Sequence, residues 1–452
     1  VENLPGVLRS RTESEGVVIW GARVEDSRVL IDGVEVPALL HVGSQRSAIG
    51  LNAPGAVELV HGAYGADYGR ALGGLVLIST RALPTVGVHG AVEATAADAS
   101  LMLSGAPTSR LRVGLSGTWS YADRAPDGFF EPVTFYGPPR YRDFQAKAEL
   151  DLAAQRRLTA LVLGATEEAQ PVYASFRYPP HERTWYRIAL RYTDERKCSA
   201  MVMPFVGWTN DDLNPLPVSY YLPVQRLLHT FHYGLRAERQ LWLSDGAVLT
   251  ASLDGLFERT RASQLGSPYF PVRPEDPNSL NSPEVSYLAM SDWQATVGDV
   301  AASLSLRWQV GRWMLSPALR ADVFPTFVDN GAPAGHVKHG PVALGPRLAI
   351  EYLPRPSVSL HAAAGLYSQP ASAGDLSAVF GNPRLGPSRS AQGRAGVRWH
   401  VTESTSVETT GFVRHSWDVA VRGAPENADA FRLVPDGRAR AYGAEVMVRK
   451  AV

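Results

Sequence analysis

His336 and His339 stand three residues apart in a glycine- and proline-containing stretch, so the chain offers a metal ion two imidazoles there. A zinc site needs at least three protein ligands. No third stands nearby, and the pair reads as surface histidine. His229 and His232 have the same odd spacing, which on a strand puts the two rings on opposite faces and forbids a shared ion. Asp211, Asp212, Glu275 and Asp276 carry the oxygen ligands that calcium takes, but in loop-like surroundings they read as solvated charge. A single cysteine, Cys198, allows neither an intramolecular disulfide nor a thiolate pair for zinc, and its strand-like surroundings assign it to packing. Gly62-Ala63-Tyr64-Gly65 and the stretch from Gly69 to Gly74 are glycine-rich, yet no Gly-Lys-Ser/Thr follows and no dinucleotide fingerprint opens a helix. No Gly-x-Ser-x-Gly elbow occurs. The chain therefore reads as no enzyme, with no metal and no cofactor.

What remains is the chemistry of binding. Phe129-Phe130, Phe135-Tyr136, Tyr173, Phe176, Tyr178, Tyr220-Tyr221 and Tyr269-Phe270 cluster in loop-like stretches, where rings stack on planar or sugar ligands and serve a protein partner equally well. A formal net charge of zero, with 19% charged residues, gives no electrostatic case for nucleic acid.

The elements that must position these side chains are strands. Phe144, Ala146, Ala148, Leu150 and Leu152 interleave with Gln145, Lys147, Glu149 and Asp151, a period of two with one wholly polar face. Leu111 to Ser120 and Val358 to Tyr367 alternate in the same way. A helix would smear both sets around its circumference. No apolar run approaches the length a membrane helix requires, but strands that face lipid on one side and water on the other keep the mean hydropathy near neutral, here −0.11. Replacing Leu150 by Arg is expected to cost about 2–4 kcal/mol at the bilayer midplane, and Lys147→Gln is expected to be nearly silent.

The connections alternate in length. Gln155-Arg156-Arg157, Asp194-Glu195-Arg196, Ser244-Asp245-Gly246, Pro354-Arg355-Pro356 and Glu403-Ser404 are short; residues 124–142, 169–181, 211–223, 263–284, 327–340 and 369–389 form the long ones. Short turns at one end and long loops at the other are the pattern of an outer-membrane barrel. Trp119, Tyr121, Trp185, Tyr186, Trp208, Trp399 and Trp417 fall near strand ends, where interfacial rings anchor such a barrel.

The N-terminal stretch has another texture. Asn3-Leu4-Pro5-Gly6-Val7, then Val29-Leu30-Ile31-Asp32-Gly33, then Tyr68-Gly69 and Gly73-Gly74 with Leu75-Val76-Leu77-Ile78-Ser79-Thr80 follow in order. Together they resemble the plug domain of TonB-dependent outer-membrane receptors. Later motifs are similar to the same family: Leu344-Gly345-Pro346-Arg347, Gln369-Pro370, Phe380-Gly381-Asn382-Pro383-Arg384-Leu385-Gly386-Pro387 and Ala441-Tyr442-Gly443-Ala444-Glu445.

The resemblance implies a membrane β fold: an antiparallel transmembrane β-barrel of about 22 strands in full, of which about 16 are counted in this chain, around an N-terminal mixed α/β plug domain. It divides the chain into a plug over 1–82, beginning part-way in, and a barrel over 83–452 whose last strands lie beyond Val452. A complete barrel of about sixteen strands is the alternative that the even-number rule permits. The implied function is energy-coupled uptake of a scarce extracellular ligand, an iron chelate, cobalamin, oligosaccharide or peptide, through the outer membrane of a Gram-negative bacterium. Its partners would be outer-membrane lipid, a TonB-type coupling protein in the periplasm, and the ligand or a surface protein. By the same resemblance, plug loops carrying Arg9, Arg11, His41, Gln45 and Arg46 face the substrate, as do Tyr136, Tyr173, Tyr220 and Tyr269 of the barrel loops; solvated plug loops are the plain alternative.

Two departures stand out. The family's Arg-Gly pairs, which hold plug to wall through carboxylates, are replaced here by Trp20-Gly21 and His61-Gly62, with Glu58 just before the second. Neither replacement is a permanent cation. Trp20, His61 and Glu58 are thus the expected lock positions, and neutral contacts are expected to dominate plug retention near neutral pH. The same departures motivate a second reading, a non-transporting outer-membrane barrel that serves as a surface binding or scaffold component.

Overall fold

The structure, a computed structural model, describes residues 6–9, 16–42, 46–47, 54–124, 138–170, 172–173, 176–177, 180–196, 198–219, 222–266, 288–333, 335–423 and 432–450. The N-terminal strands are β1 (Val7–Arg9), β2 (Val17–Ile19), β3 (Arg28–Ile31), β4 (Val34–Val36), β5 (Pro54–Val60) and β6 (Leu75–Thr80). β1 pairs with β2, and a mixed sheet runs β4-β3-β6-β5 with β3 parallel to β6. The β3–β4 turn works because Asp32 and Gly33 both take positive φ, 47° and 88°, the left-handed pair that a two-residue hairpin demands. Asp32 then fastens the hairpin to the end of β6, accepting from the Thr80 backbone N at 3.0 Å and from its hydroxyl at 2.5 Å. Among the described residues the helical content of this unit is the 3-10 turn Val24–Asp26.

The wall is built from β7 (Val88–Ala94), β8 (Asp98–Gly105), β9 (Leu111–Ser120), β10 (Arg140–Ala153) and β11 (Arg156–Ala169), with β12 (Val172–Tyr173) and β13 (Phe176–Arg177) as a small hairpin outside it. It continues through β14 (His181–Asp194), β15 (Ala200–Ser219), β16 (Leu222–Ser244), β17 (Ala247–Gly266), β18 (Ala289–Val310) and β19 (Trp313–Val323). After a hairpin of β20 (Thr326–Asp329) and β21 (His336–His339), it ends with β22 (Val342–Arg355), β23 (Val358–Gln369), β24 (Ser388–His400), β25 (Thr405–Arg422) and β26 (Leu433–Lys450). Sixteen strands, β7–β11, β14–β19 and β22–β26, thus form one antiparallel barrel whose order returns from β26 to β7. On these two strands Val92 and Tyr442 face outward and are nearly 80% exposed (77% and 78%).

Register follows the alternation. On β10 Phe144 and Leu150 face outward while Asp143, Lys147 and Glu149 are buried inside. A slip of one residue would have inverted both sets. The short turns gather at one end and the long connections at the other, with two corrections. Residues 211–223 were expected to form a loop, but β15 runs on to Ser219 and β16 starts at Leu222. The prolines of this stretch sit among register shifts of the hairpin, where a strand tolerates them. The 327–340 loop likewise contains the hairpin β20–β21.

Three single residues also differ from expectation. Trp185, expected at the membrane interface, is buried in the lumen and donates from Nε1 to Glu167 Oε1 at 3.2 Å, because neighbours on a strand split between faces and Tyr186 takes the outer one. Cys198 lies in the 195–199 turn and is half-buried. Lys147 is no bystander, since its Nζ lies 2.9 Å from Thr80 Oγ1 and 3.5 Å from Asp32 Oδ2 across the plug boundary.

An apolar core joins the two parts. Ile19, Ile31, Val34, Val76 and Ile78 of the plug pack in one cluster with Leu161, Leu163, Met203 and Phe205 of the wall.

Candidate functional site

The site is the boundary between plug and wall, and its polar centre is Arg70. This residue sits at φ 62° in the turn ahead of β6. Its Nη1 donates to Asp254 Oδ2 at 3.0 Å and to Asp299 Oδ2 at 3.1 Å, carboxylates of β17 and β18. Arg320 of β19 shares both, from Nη2 at 3.2 and 3.3 Å, and donates from Nε to Asp322 at 2.7 Å. Burial alone would push the Arg70 guanidinium toward neutrality, but Asp254, Glu35 and Asp299 more than reverse this and hold its pKa above the ordinary arginine value. It stays a permanent cation. Gly69 is needed here, because a Cβ on it would lie 2.6 Å from Arg320 Nη2.

Around the lumen the wall grips the plug by its backbone. Arg347 donates to the carbonyls of Tyr64 (3.3 Å), Tyr68 (2.8 Å) and Gly65. Gln392 donates to Leu72 O at 2.7 Å and accepts from Ala63 N at 2.9 Å. Arg414 reaches Gly21 O at 2.8 Å, Arg187 reaches Glu35 O at 3.0 Å, and Arg236 reaches Asp67 O at 3.1 Å. Where the backbone group is buried, as with Tyr64 O, Leu72 O and Ala63 N, leaving it unpaired would cost about 1–3 kcal/mol.

Trp20 and His61 do meet. Their rings stack at 5.3 Å, and Trp20 lies flat on Phe412 of β25 at 4.2 Å while donating to Glu445 of β26 at 3.2 Å. Glu58 is exposed on β5. The expectation that neutral contacts dominate is corrected by Arg70, which puts a permanent charge between wall carboxylates elsewhere on the plug. Sequence reading missed it because Arg70 directly follows the Tyr68-Gly69 motif and was absorbed into the glycine-rich turn. The signal was present: an arginine in the plug and aspartates at inward positions of β17 and β18.

His41, expected in an outward loop, is fully buried against the wall. Its Nε2 lies 3.4 Å from Asp143 Oδ2 and its Nδ1 3.2 Å from Glu167 Oε1, with the ring stacked on Tyr141 at 4.1 Å. Loop polarity in the sequence does not distinguish a residue facing water from one facing a polar wall. Arg46 pairs with Asp98 of β8, Nε at 2.6 Å and Nη2 at 2.5 Å, and Tyr141 donates to the same carboxylate at 2.5 Å. Arg9 lies on β1 and Tyr173 in the β12–β13 hairpin, with their side chains outside the described residues. Arg11, Gln45, Tyr136, Tyr220 and Tyr269 lie wholly outside them.

Of the carboxylates weighed for calcium, Asp211 pairs with His181 at 2.8 Å and Asp212 with His229 at 2.9 Å, while Glu275 and Asp276 lie outside the described residues. Among the described residues no group of three metal-binding side chains occurs. The arrangement suits holding and releasing a stopper.

Residues 97–449 match the family model for TonB dependent receptor-like, beta-barrel proteins. Among solved structures, the unliganded ferric citrate transporter FecA is similar with TM-score 0.72 and 16% identity, over 99% of this chain and 71% of that one. The ferric yersiniabactin uptake receptor FyuA from Yersinia pestis gives 0.75 and 15%, over 99% and 72%. The copper transporter OprC gives 0.72 and 14%, over 99% and 74%. At these identities the likeness is one of fold. No curated protein matches the chain by sequence.

Proposed function

Because this chain belongs to the TonB-dependent receptor-like β-barrel family of the outer membrane, we propose that it imports a metal chelate, held outside by the long loops and admitted when a periplasmic TonB-type protein pulls the plug from the wall. One observation carries the reading: beside the apolar cluster, the boundary is divided among many separable polar contacts, with Arg70 bridging two buried wall carboxylates at their centre. A boundary built only of apolar packing would resist such parting more uniformly. The chelate class follows the similar structures, described as a ferric citrate transporter, a ferric yersiniabactin uptake receptor and a copper transporter. The plug occupies residues up to about 82 in this reading and the barrel the remainder.

The scaffold alternative drew its motive from Trp20 and His61, and Arg70 removes much of it. The test is uptake of iron-radiolabelled chelates by cells displaying the protein. Uptake that ceases when the coupling protein is deleted, while surface binding persists, is the expected result. Binding with no uptake in either background would favour the scaffold.

A further inference from the structure

Arg347, Gly365, Gln392, Arg414 and Ala441 stand directly opposite one another on β22 to β26, so they form a single row across five strands of the inner wall. The two guanidiniums of this row are occupied by plug carbonyls. Among the described residues no wall carboxylate makes an ion pair with either; the nearest acidic partner of Arg414 is Asp26 of the plug itself, at 4.0 Å. Arg187 across the lumen is in the same state, donating to Glu35 O, Tyr186 O, Trp208 O and Thr209. Arg191 likewise donates to Asp32 O, whereas three other inward cations differ. Arg320 keeps Asp322, Arg183 keeps Glu167 and Lys147 keeps Glu149, all on the wall.

We infer that the Arg347–Gln392–Arg414 row is a binding strip for small anions in transit, which the plug's carbonyls occupy at rest. This deepens, and rests on, the reading that the plug leaves the wall during uptake. When it leaves, the row loses its acceptors and faces a water-filled lumen as positive charge without an ion-pair partner on the wall, and the low-dielectric wall focuses its field on an incoming carboxylate. The guanidinium fork matches carboxylate oxygens in pairs. The ring of Tyr367 lies 4.4 Å from the Arg347 guanidinium carbon and stays on the wall to hold that fork in place. The acidic cluster of Asp254, Asp299 and Asp322 lies on β17 to β19, and β19 pairs with β22, so the row starts beside that cluster at Arg347 and runs away from it to Arg414 on β25. The lumen is therefore two-sided, and the cargo suited to the β22–β25 side is a chelate carrying net negative charge through carboxylate-type oxygens.

The test uses the whole protein in a planar bilayer, in urea that releases the plug while the barrel stays folded, with potassium chloride as the probe electrolyte. The wild type is expected to pass chloride in preference to potassium, and Arg347→Gln with Arg414→Gln to lower that permeability ratio by about threefold or more. Arg347→Lys with Arg414→Lys keeps the charge and should keep the ratio, as should Lys338→Gln in the exposed β20–β21 hairpin. If the double glutamine variant does not fold, each single variant should show part of the shift. An unchanged ratio in folded glutamine variants overturns the inference while leaving plug-gated uptake standing. A folded barrel that never conducts overturns both.

Discussion

On the β17–β19 side the plug presents one side chain, Arg70, to the carboxylates Asp254 and Asp299 that Arg320 also holds. On the β22–β26 side it presents mainly backbone, beside the Trp20 ring and its N–H to Glu445, and the wall supplies the specific groups, Arg347, Gln392 and Arg414. The first contact depends on residue identity, because a buried charge without its partner is costly. The second depends on the path of the chain, set by left-handed φ values at Trp20, Gly21, Gly62 and Ala63. The contrast explains how Trp20 and His61 can stand where arginines are expected. On that side the wall carries the arginines, and the plug needs only correctly placed carbonyls and a ring to stack on Phe412.

The largest effect should fall on the ionic side. Arg70→Met is expected to weaken plug docking by about 3–5 kcal/mol, the cost of stranding buried charge, read as a lower urea midpoint for plug release. A midpoint within error of the wild type would erase the distinction between the two sides. Gln392→Leu tests the backbone side. It leaves Ala63 N–H and Leu72 C=O without the amide that bonds both, and about 2 kcal/mol of docking should be lost, since Arg414 still reaches Leu72 O at 3.4 Å. An effect larger than that of Arg70→Met would invert the comparison.

The smallest effect depends on pH and belongs to His41. Burial opposes its charged form, but Asp143 and Glu167 more than offset this and raise its pKa above the ordinary 6.5. A group raised on docking contributes stability that is full below its free value and fades as pH rises through the docked value. Docking should therefore be tighter at about pH 5.5 than at about pH 8.5 in the wild type, and insensitive over that range in His41→Gln. Equal pH dependence in both proteins would remove His41 from the account.

The barrel was legible because a period of two writes both faces into one strand, as in Phe144 to Leu152. The plug's hairpin was legible because Asp32-Gly33 has few other uses between β-branched runs. The lock was not, and the reason is physical. Arg70 and Asp254 are separated by 184 residues, and no local pattern says which inward carboxylate meets which plug cation. Carbonyl acceptors such as Gly65 O and Leu72 O leave no trace in side-chain chemistry at all. His41 failed for a related reason, since a polar lumen wall draws the same residue types as water does.

The most direct test of the two-sided lock is small-solute leakage through the reconstituted protein, comparing the wild type, Arg70→Met, and Arg70→Met combined with Asp254→Asn and Asp299→Asn. If Arg70 is the charge that seats the plug, the single variant leaks, and neutralising the stranded carboxylates restores part of the closure, because the penalty resides in the charges left unpaired. A single variant as tight as the wild type, or a triple variant that leaks more than the single one, would contradict it.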